Sequence, residues 1–402
     1  MDKPTSMRQK AEENDVGRDR ISDLPDAVLC HVLSFLPIKI CVTTSILSRR
    51  WRHIWKDIQV LDFCDHYCEG FEHLAVLVNR VLAMRKGYDI RVFRLCRYFS
   101  NTDSDSVAKW VQTAIGPNLE ELQLELHYGL GFVVPHTLFT CSRLVSLTLS
   151  YGIRIEKPPA VCLPSLKVLS VEDVDVDVIE TLLSGCPALE TLTLTIYPEC
   201  LTKVRVPSSL KRLLLQVFST GCESYLDIDA PGLEYLNIFY MDSSFHFKVT
   251  NLQHMMHANL NTEAMDKASV NSFHKLIRAL SGTKSLKLGS LSTENPKPLR
   301  LQSWAQPTTV PNCLRSHLTS VQFEGYQGLE DELEFADYVL RYGFVLKAMN
   351  IYTDRLLDFG EKWHNIHRKS LYDIPRGSGV KKGSKNSEEL LTWRIMDHWM
   401  KV

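Results

Sequence analysis

One short phrase constrains this chain more than any other: an apolar residue followed three and five positions later by two more. It occurs at Leu119, Leu122, Leu124; Leu144, Leu147, Leu149; Leu166, Leu169, Val171; Leu189, Leu192, Leu194; Leu210, Leu213, Leu215; and Leu233, Leu236, Ile238. The second and third members stand two apart, the spacing that puts side chains on one face of a strand. The units begin 21 to 25 residues apart. A unit of that size buries no core alone, but stacked units share one. The pattern therefore predicts an α/β chain with a curved solenoid and a parallel sheet on its concave face.

Repeats of that period with leucine in the core positions are leucine-rich repeats. The residues between the core positions point outward: Glu121, Ser146, Val168, Thr191, Arg212 and Tyr235 in one column, and Gln123, Thr148, Ser170, Thr193, Leu214 and Asn237 in the next. Of these, Glu121, Gln123, Ser146, Thr148, Thr191, Thr193, Arg212, Tyr235 and Asn237 are the expected substrate-binding residues. They share no charge sign, and the 402-residue chain has a formal net charge of −1. Both facts argue for protein recognition and against nucleic acid or an anionic membrane surface.

Before the repeats, residues 24–55 read LPDAVLCHVLSFLPIKICVTTSILSRRWRHIW. Pro25 suits the first position of a helix, and Asp26 places negative charge in the first turn, where the dipole favours it. Val28, Leu29, Val32, Leu33 and Leu36 form an apolar stripe, widened by Phe35, until Pro37 stops the helix. A second helix starts at Ile38, and a third carries Trp51, Ile54, Trp55 and Ile58 on one face. A segment of about 40 residues this apolar has more to hide than three short helices can cover among themselves, so another protein is expected to cover it.

Arg20-Ile21-Ser22, Leu24-Pro25, Val28-Leu29, residues 33–37, and Leu47-Ser48-Arg49-Arg50-Trp51-Arg52 up to Trp55 resemble a plant F-box, with Ala27 where that family often has Glu. The resemblance implies docking to a Skp-type adaptor and through it to a cullin scaffold. It implies Leu24, Pro25, Leu29, Val32, Leu36, Pro37, Ile38, Val42, Leu47, Trp51 and Trp55 as the adaptor-binding residues. It continues through a capping unit, with a helix over Phe71–Met84, a strand through Ile90, Val92, Phe93 and Leu95, and a helix at 107–115.

Residues 318–352 resemble the FBD region of the same plant family. A strand runs through Val321 and Phe323, a turn through Gly325-Tyr326-Gln327-Gly328, a helix over 330–341, and a second strand around Met349 and Ile351. The resemblance assigns this region no biochemical role, and a cap on the last sheet edge is the simplest reading. Between Met241 and Trp304 the pattern weakens to one strand at Ser285–Leu288, and the final residues suggest a helix over 388–400. The expected organisation is a disordered tail at 1–18, the F-box at 19–58, the solenoid at 59–315 (irregular or shortened at 242–315), the FBD-like region at 316–378 and an atypical tail at 379–402.

No G-x-S-x-G, H-E-x-x-H, P-loop or G-x-G-x-x-G phrase occurs, so no catalysis and no cofactor are expected. Cys64, His66, Cys68 and His73 match no common zinc spacing, and the run Asp173, Asp175, Asp177 has Val178 where a calcium loop requires glycine. Arg49, Arg50, Arg52, His53 and Lys56 fall on a short helix with an apolar face, which fits a solvated face or an interface rim better than nucleic acid. The eleven cysteines lie mostly inside apolar runs, and no apolar leader or long apolar span is present, so a reducing cytoplasmic or nuclear location is expected.

Three functions fit. The leading one is the substrate-recognition subunit of an SCF-type cullin-RING ubiquitin ligase, with an unknown protein substrate on the repeats. The others are a scaffold that sequesters a partner without ubiquitination, and a small-molecule co-receptor, for which no basic or aromatic pocket set is evident.

Overall fold

The computed structural model describes residues 21, 23–64, 71–85, 89–98, 104–127, 131–174, 176–196, 202–218, 224–240, 245–250, 252, 254–262, 280–289, 309–326, 330–353 and 392–396. The chain divides into two units, Met1–Leu130 and Gly131–Val402.

The N-terminal unit begins with α1 (Asp26–Leu33), α2 (Ile38–Thr43) and α3 (Trp51–Ile54). Pro25 and Pro37 stand at the N-caps of α1 and α2, where a missing backbone donor costs nothing. The helices close over Leu29, Leu33, Ile38, Cys41, Trp51, Ile54 and Trp55. Arg50 locks α3 to α1: it donates to the Leu24 carbonyl and, at 2.9 Å, to the Asp26 carboxylate. Three parallel strands follow, β1 (Val60–Asp62), β2 (Val92–Tyr98) and β3 (Glu121–His127), with Leu61 opposite Phe93 and Phe93 opposite Leu122. They are separated in sequence by α4 (Phe71–Met84) and α5 (Ser104–Ala114). The Trp110 indole joins these two helices by donating to Asn79 at 2.8 Å.

Among the described residues, the main sheet of the C-terminal unit has ten parallel strands: β4 (Ser146–Ser150), β5 (Val168–Glu172), β6 (Thr191–Ile196), β7 (Arg212–Val217), β8 (Tyr235–Tyr240), β9 (His257–Thr262), β10 (Ser285–Leu288), β11 (Ser320–Tyr326), β12 (Ala348–Thr353) and β13 (Thr392–Met396), each paired with the next. Two columns of apolar side chains run through it. Leu147, Leu169, Leu192, Leu213, Leu236, Ala258, Leu286, Val321 and Met349 are buried in one. Leu149, Val171, Leu194, Leu215, Ile238, Leu260, Leu288, Phe323 and Ile351 are buried in the other. Each large side chain contributes about 1.5–3 kcal/mol by leaving water. Smaller parallel sheets form in the connections: Phe132–Val133 with Ile153–Arg154, and Thr202–Arg205, Ser224–Asp229 and Phe245–Thr250. Among the described residues the unit also has the α-helices α6 (Val176–Ser184), α7 (Asn312–Ser316) and α8 (Glu330–Tyr342).

Two expectations are corrected and one is made more specific. The stretch after Met241 contains three strands among the described residues, Phe245–Thr250, β9 and β10. Met255, Ala258 and Leu260 keep the three-and-five spacing, but alanine in a leucine position hides it. Second, the FBD-like region covers the open edge of β10, and it does so by adding strands of its own. Leu318-Val321-Phe323 and Leu346-Met349-Ile351 repeat the same spacing, so β11 and β12 extend the sheet in register. Gly289 permits the approach of β10 to β11: its φ is +132°, and a Cβ there would lie 2.6 Å from the Glu324 carbonyl oxygen. Third, residues 392–396 form strand β13 beside β12 and not part of a helix. Thr392, Trp393 and Ile395 favour strands, and the edge of β12 supplies the partner. The remainder of the 379–402 tail and the 1–18 tail lie outside the described residues.

Leu213→Ala is expected to destabilise the C-terminal unit by about 2–5 kcal/mol, whereas exposed Lys211→Ala should stay within about 0.5 kcal/mol. Urea denaturation of the two variants measures the difference.

Candidate functional site

Eight of the sixteen large apolar side chains exposed among the described residues lie between Ile21 and Leu47. They are Ile21, Val28, Val32, Phe35, Leu36, Ile40, Ile46 and Leu47, with Phe35 75% and Ile46 85% accessible. The cause is local. On α1 the positions Leu29 and Leu33 turn inward, which leaves Val28 and Val32 on the outer side, continued by Phe35 and Leu36. His31 packs edge-on against Phe35 with ring centroids 5.0 Å apart. Concentrated apolar exposure on one small module is the surface character of a protein-binding patch.

The expected adaptor residues separate into two groups. Pro25, Val32, Leu36, Pro37 and Leu47 are exposed, and Leu24 and Val42 are half-buried. Leu29, Ile38, Trp51 and Trp55 are buried in the module's own core, between 0% and 5% accessible, and present no surface to a partner. Helical periodicity marks apolar faces but does not say which face turns inward. Ile21, Val28, Phe35, Ile40 and Ile46 are exposed beside the expected set without belonging to it; Phe35, Ile40 and Ile46 sit at or near helix ends, where the stripe pattern breaks down.

The outward faces of the strands carry the second candidate surface. In the N-terminal unit, Arg94 binds Glu121 at 2.6 Å and Asp62 at 3.2 Å, and Gln123 donates to Glu125 at 2.7 Å. Glu121 and Gln123 are thus already engaged. In the C-terminal unit, Ser146, Thr148, Thr191, Thr193, Tyr235 and Asn237 are half-buried and Arg212 is exposed, all opposite the leucine side of their strands. The Arg212 guanidinium lies 6.0 Å from the Tyr235 ring centroid, and Thr195 donates to Gln216 at 3.1 Å. Farther along, Lys287 and Glu324 pair at 2.7 Å, and Gln322 donates to the same carboxylate. Lys287, Gln322 and Glu324 are not among the expected binding residues, because their strands lie outside the six leucine-marked repeats.

Cysteine chemistry also differs from expectation. Cys64 is joined to Cys96 by a disulfide across β1 and β2, so neither acts as a free small hydrophobe, and Cys64 offers no thiolate to a metal. His66 and Cys68 lie outside the described residues, as does Asp175 of the aspartate run. Among the described residues no group of His, Cys, Asp and Glu could hold a metal ion, and no helix is long and apolar enough to cross a membrane. Burial pushes the thiols of Cys41 and Cys313 up to about 11 and that of Cys186 up to about 12.

Comparison with known proteins places three domains along the chain. The F-box domain family matches residues 21–63, the LRR domain family described as At1g61320/AtMIF1 matches 81–305, and FBD matches 306–351. Among curated relatives, the Arabidopsis thaliana FBD-associated F-box protein At4g10400 is 30% identical over 84% of this chain and 94% of its own. The putative F-box/FBD/LRR-repeat protein At3g49040 of the same plant is 32% identical over 83% and 88%. The F-box/LRR-repeat protein At3g26922, also from that plant, is 34% identical over 68% and 91%.

Two measurements check the assignment of faces and thiols. Trp51→Ala should destabilise the N-terminal unit by about 3–5 kcal/mol, and Ile46→Ser by less than about 0.5 kcal/mol, in thermal unfolding. Brief alkylation of the native protein near pH 8 should modify exposed Cys162 well before Cys41, Cys186 or Cys313, because the thiolate is the reacting form; peptide mass spectrometry reads the order.

Proposed function

The chain belongs to the F-box/FBD/leucine-rich-repeat family, and from that premise we propose that it is the substrate-recognition subunit of an SCF-type ubiquitin ligase. Its F-box binds a Skp-type adaptor, which connects it to a cullin, and its repeats bind a protein substrate. The observation that carries this reading is the apolar surface from Ile21 to Leu47, which the module's own core leaves uncovered. A partner helix or loop laid on that surface would remove Phe35, Ile46 and Leu47 from water, and such clustered apolar anchors carry most of the energy of an interface.

The chain performs no chemistry in this reading. It acts by holding substrate lysines near a charged ubiquitin-conjugating enzyme, where tethering raises the effective concentration to about the millimolar range. Holding of that kind calls for rigid elements. The F-box helices are pinned by Arg50, and the strands that present the outward face are held by continuous ladders within each unit.

The test is binding of the purified full chain to a Skp-type adaptor. Phe35→Asp combined with Ile46→Asp is expected to weaken that complex by about 100-fold or more without lowering the melting temperature. Undiminished adaptor binding would overturn the assignment. Adaptor binding with no substrate turnover in plant cells, and partner levels that stay constant as the protein accumulates, would favour sequestration over ubiquitination.

A further inference from the structure

The helical module runs on into β1, a strand of three residues whose neighbour among the described strands is β2 alone. Everything N-terminal to β1 is therefore joined to the first repeat through an edge strand. At the near end of β1 the attachment is made by side chains. Arg85, just after α4, donates to the Ile58 carbonyl, and the Asp89 carboxylate accepts from Gln59 at 2.7 Å and from Asn118 at 2.5 Å. At the far end it is covalent. Register sets Asp62 opposite Arg94, the Phe63 amide donates to the Arg94 carbonyl at 2.8 Å, and two positions on from that pair Cys64 and Cys96 are bonded with their Cα atoms 4.5 Å apart.

Alternation along the strands places Cys64 and Cys96 on the outward side with Asp62 and Arg94, while Leu61, Phe63, Phe93 and Leu95 turn into the core. The alignment of the two sulfurs is set by that core and by the strand ladder, and neither needs the bond between them. The same fold therefore accommodates two thiols or one disulfide. Cys64 is half-buried and Cys96 is 6% accessible, so Cys64 is the sulfur a dissolved reagent reaches first. The buried thiols of Cys41, Cys186 and Cys313, pushed up to about 11, 12 and 11, stay protonated at neutral pH and do not compete in exchange, because the thiolate is the attacking form. In the reducing compartment that the cysteine pattern leads one to expect, a disulfide open to exchange forms only while the thiol pool is oxidised.

We propose that Cys64 and Cys96 are a reversible oxidation site, closed by oxidised glutathione and opened by reduced glutathione, which fastens the helical module to the first repeat. The Cys64 thiolate attacks one sulfur of the glutathione disulfide, a mixed disulfide forms, and the first glutathione thiolate leaves. Cys96 then attacks the Cys64 sulfur, the protein disulfide forms, and the second glutathione thiolate leaves. The two protons given up by the cysteines pass to the two glutathione thiolates, so the protein pair loses two electrons and the glutathione disulfide gains them. Closing the loop between residues 32 apart removes open conformations in which β1 leaves β2. The reduced protein keeps the ladder but opens it more often. The proposal rests on the ligase reading only in its consequence, that oxidation holds the adaptor-bound module in one direction relative to the repeats.

The test uses the full chain, purified and equilibrated in buffers of varied ratio of oxidised to reduced glutathione, then alkylated and read by peptide mass spectrometry. The Cys64–Cys96 bond is expected to disappear in excess reduced glutathione and to return when oxidised glutathione is added. Hydrogen exchange of the β1 and Phe63 amides should be about 100-fold faster in the reduced protein, with the amides of β6 and β7 unchanged. A variant carrying both Cys64→Ser and Cys96→Ser should show the fast exchange in either buffer. If that variant does not fold, the comparison of reduced with oxidised wild type still decides. A bond that excess reduced glutathione leaves intact, thiols that oxidised glutathione leaves unpaired, or equal β1 exchange in both forms would each overturn the proposal. Adaptor binding is measured in parallel: its absence in both forms would overturn the ligase reading and leave this one standing.

Discussion

The alignment of two apolar columns across parallel strands is the interaction on which the rest depends. Leu192, Leu213 and Leu236 stand opposite one another, as do Leu194, Leu215 and Ile238, because the strands pair with no offset. A slip of one residue would turn both columns to the outer side and bring Arg212 and Tyr235 inward, at a cost no repeat could bear. The strands are thus held in one register while the connections between them vary freely. From Leu119 to Leu346 successive units begin 21 to 35 residues apart, and the ladder in the C-terminal unit passes without interruption from β4 to β13.

Recognition follows from that constraint. With alternate side chains committed to the core, every residue between them is displayed on the opposite face at a set spacing, whatever its type. The face can then change from hydroxyl-bearing in β4 to β6 to amide-bearing in β8 to β12 with no change in the core. The small helical module obeys the opposite logic. Its core is formed by a few residues, Leu29, Leu33, Trp51 and Trp55 among them, and its remaining apolar side chains have no internal surface to meet. Exposure of Phe35 and Ile46 is therefore a direct result of the module's size.

Much of the architecture is legible in the sequence because it is periodic. Six repeats announce themselves through leucine at three-and-five spacing, and both helices of the capping unit are visible from their stripes. The seventh repeat is hidden at Ala258, where the core position holds a small residue, and the extension of the solenoid is hidden at Val321 and Met349, which keep the spacing with other apolar residues. A helical pattern over 388–400 is overridden at residues 392–396, which add to the edge of β12. Trp51 and Trp55 read as interface residues for a related reason: an amphipathic helix looks alike from sequence whether its apolar side meets its own core or another chain.

What the sequence determined by itself is the repeat: its spacing dictates parallel strands, a shared core and an outward face, since no other arrangement buries residues three and five apart in every unit. Only the tertiary structure decided which apolar residues of the helical module are inside, that the FBD region extends the same sheet, and that Asn237, Asn259, Lys287, Gln322 and Asn350 form one column. Those outcomes depend on contacts between residues distant in the chain, and periodicity within a segment carries no information about its neighbours in space.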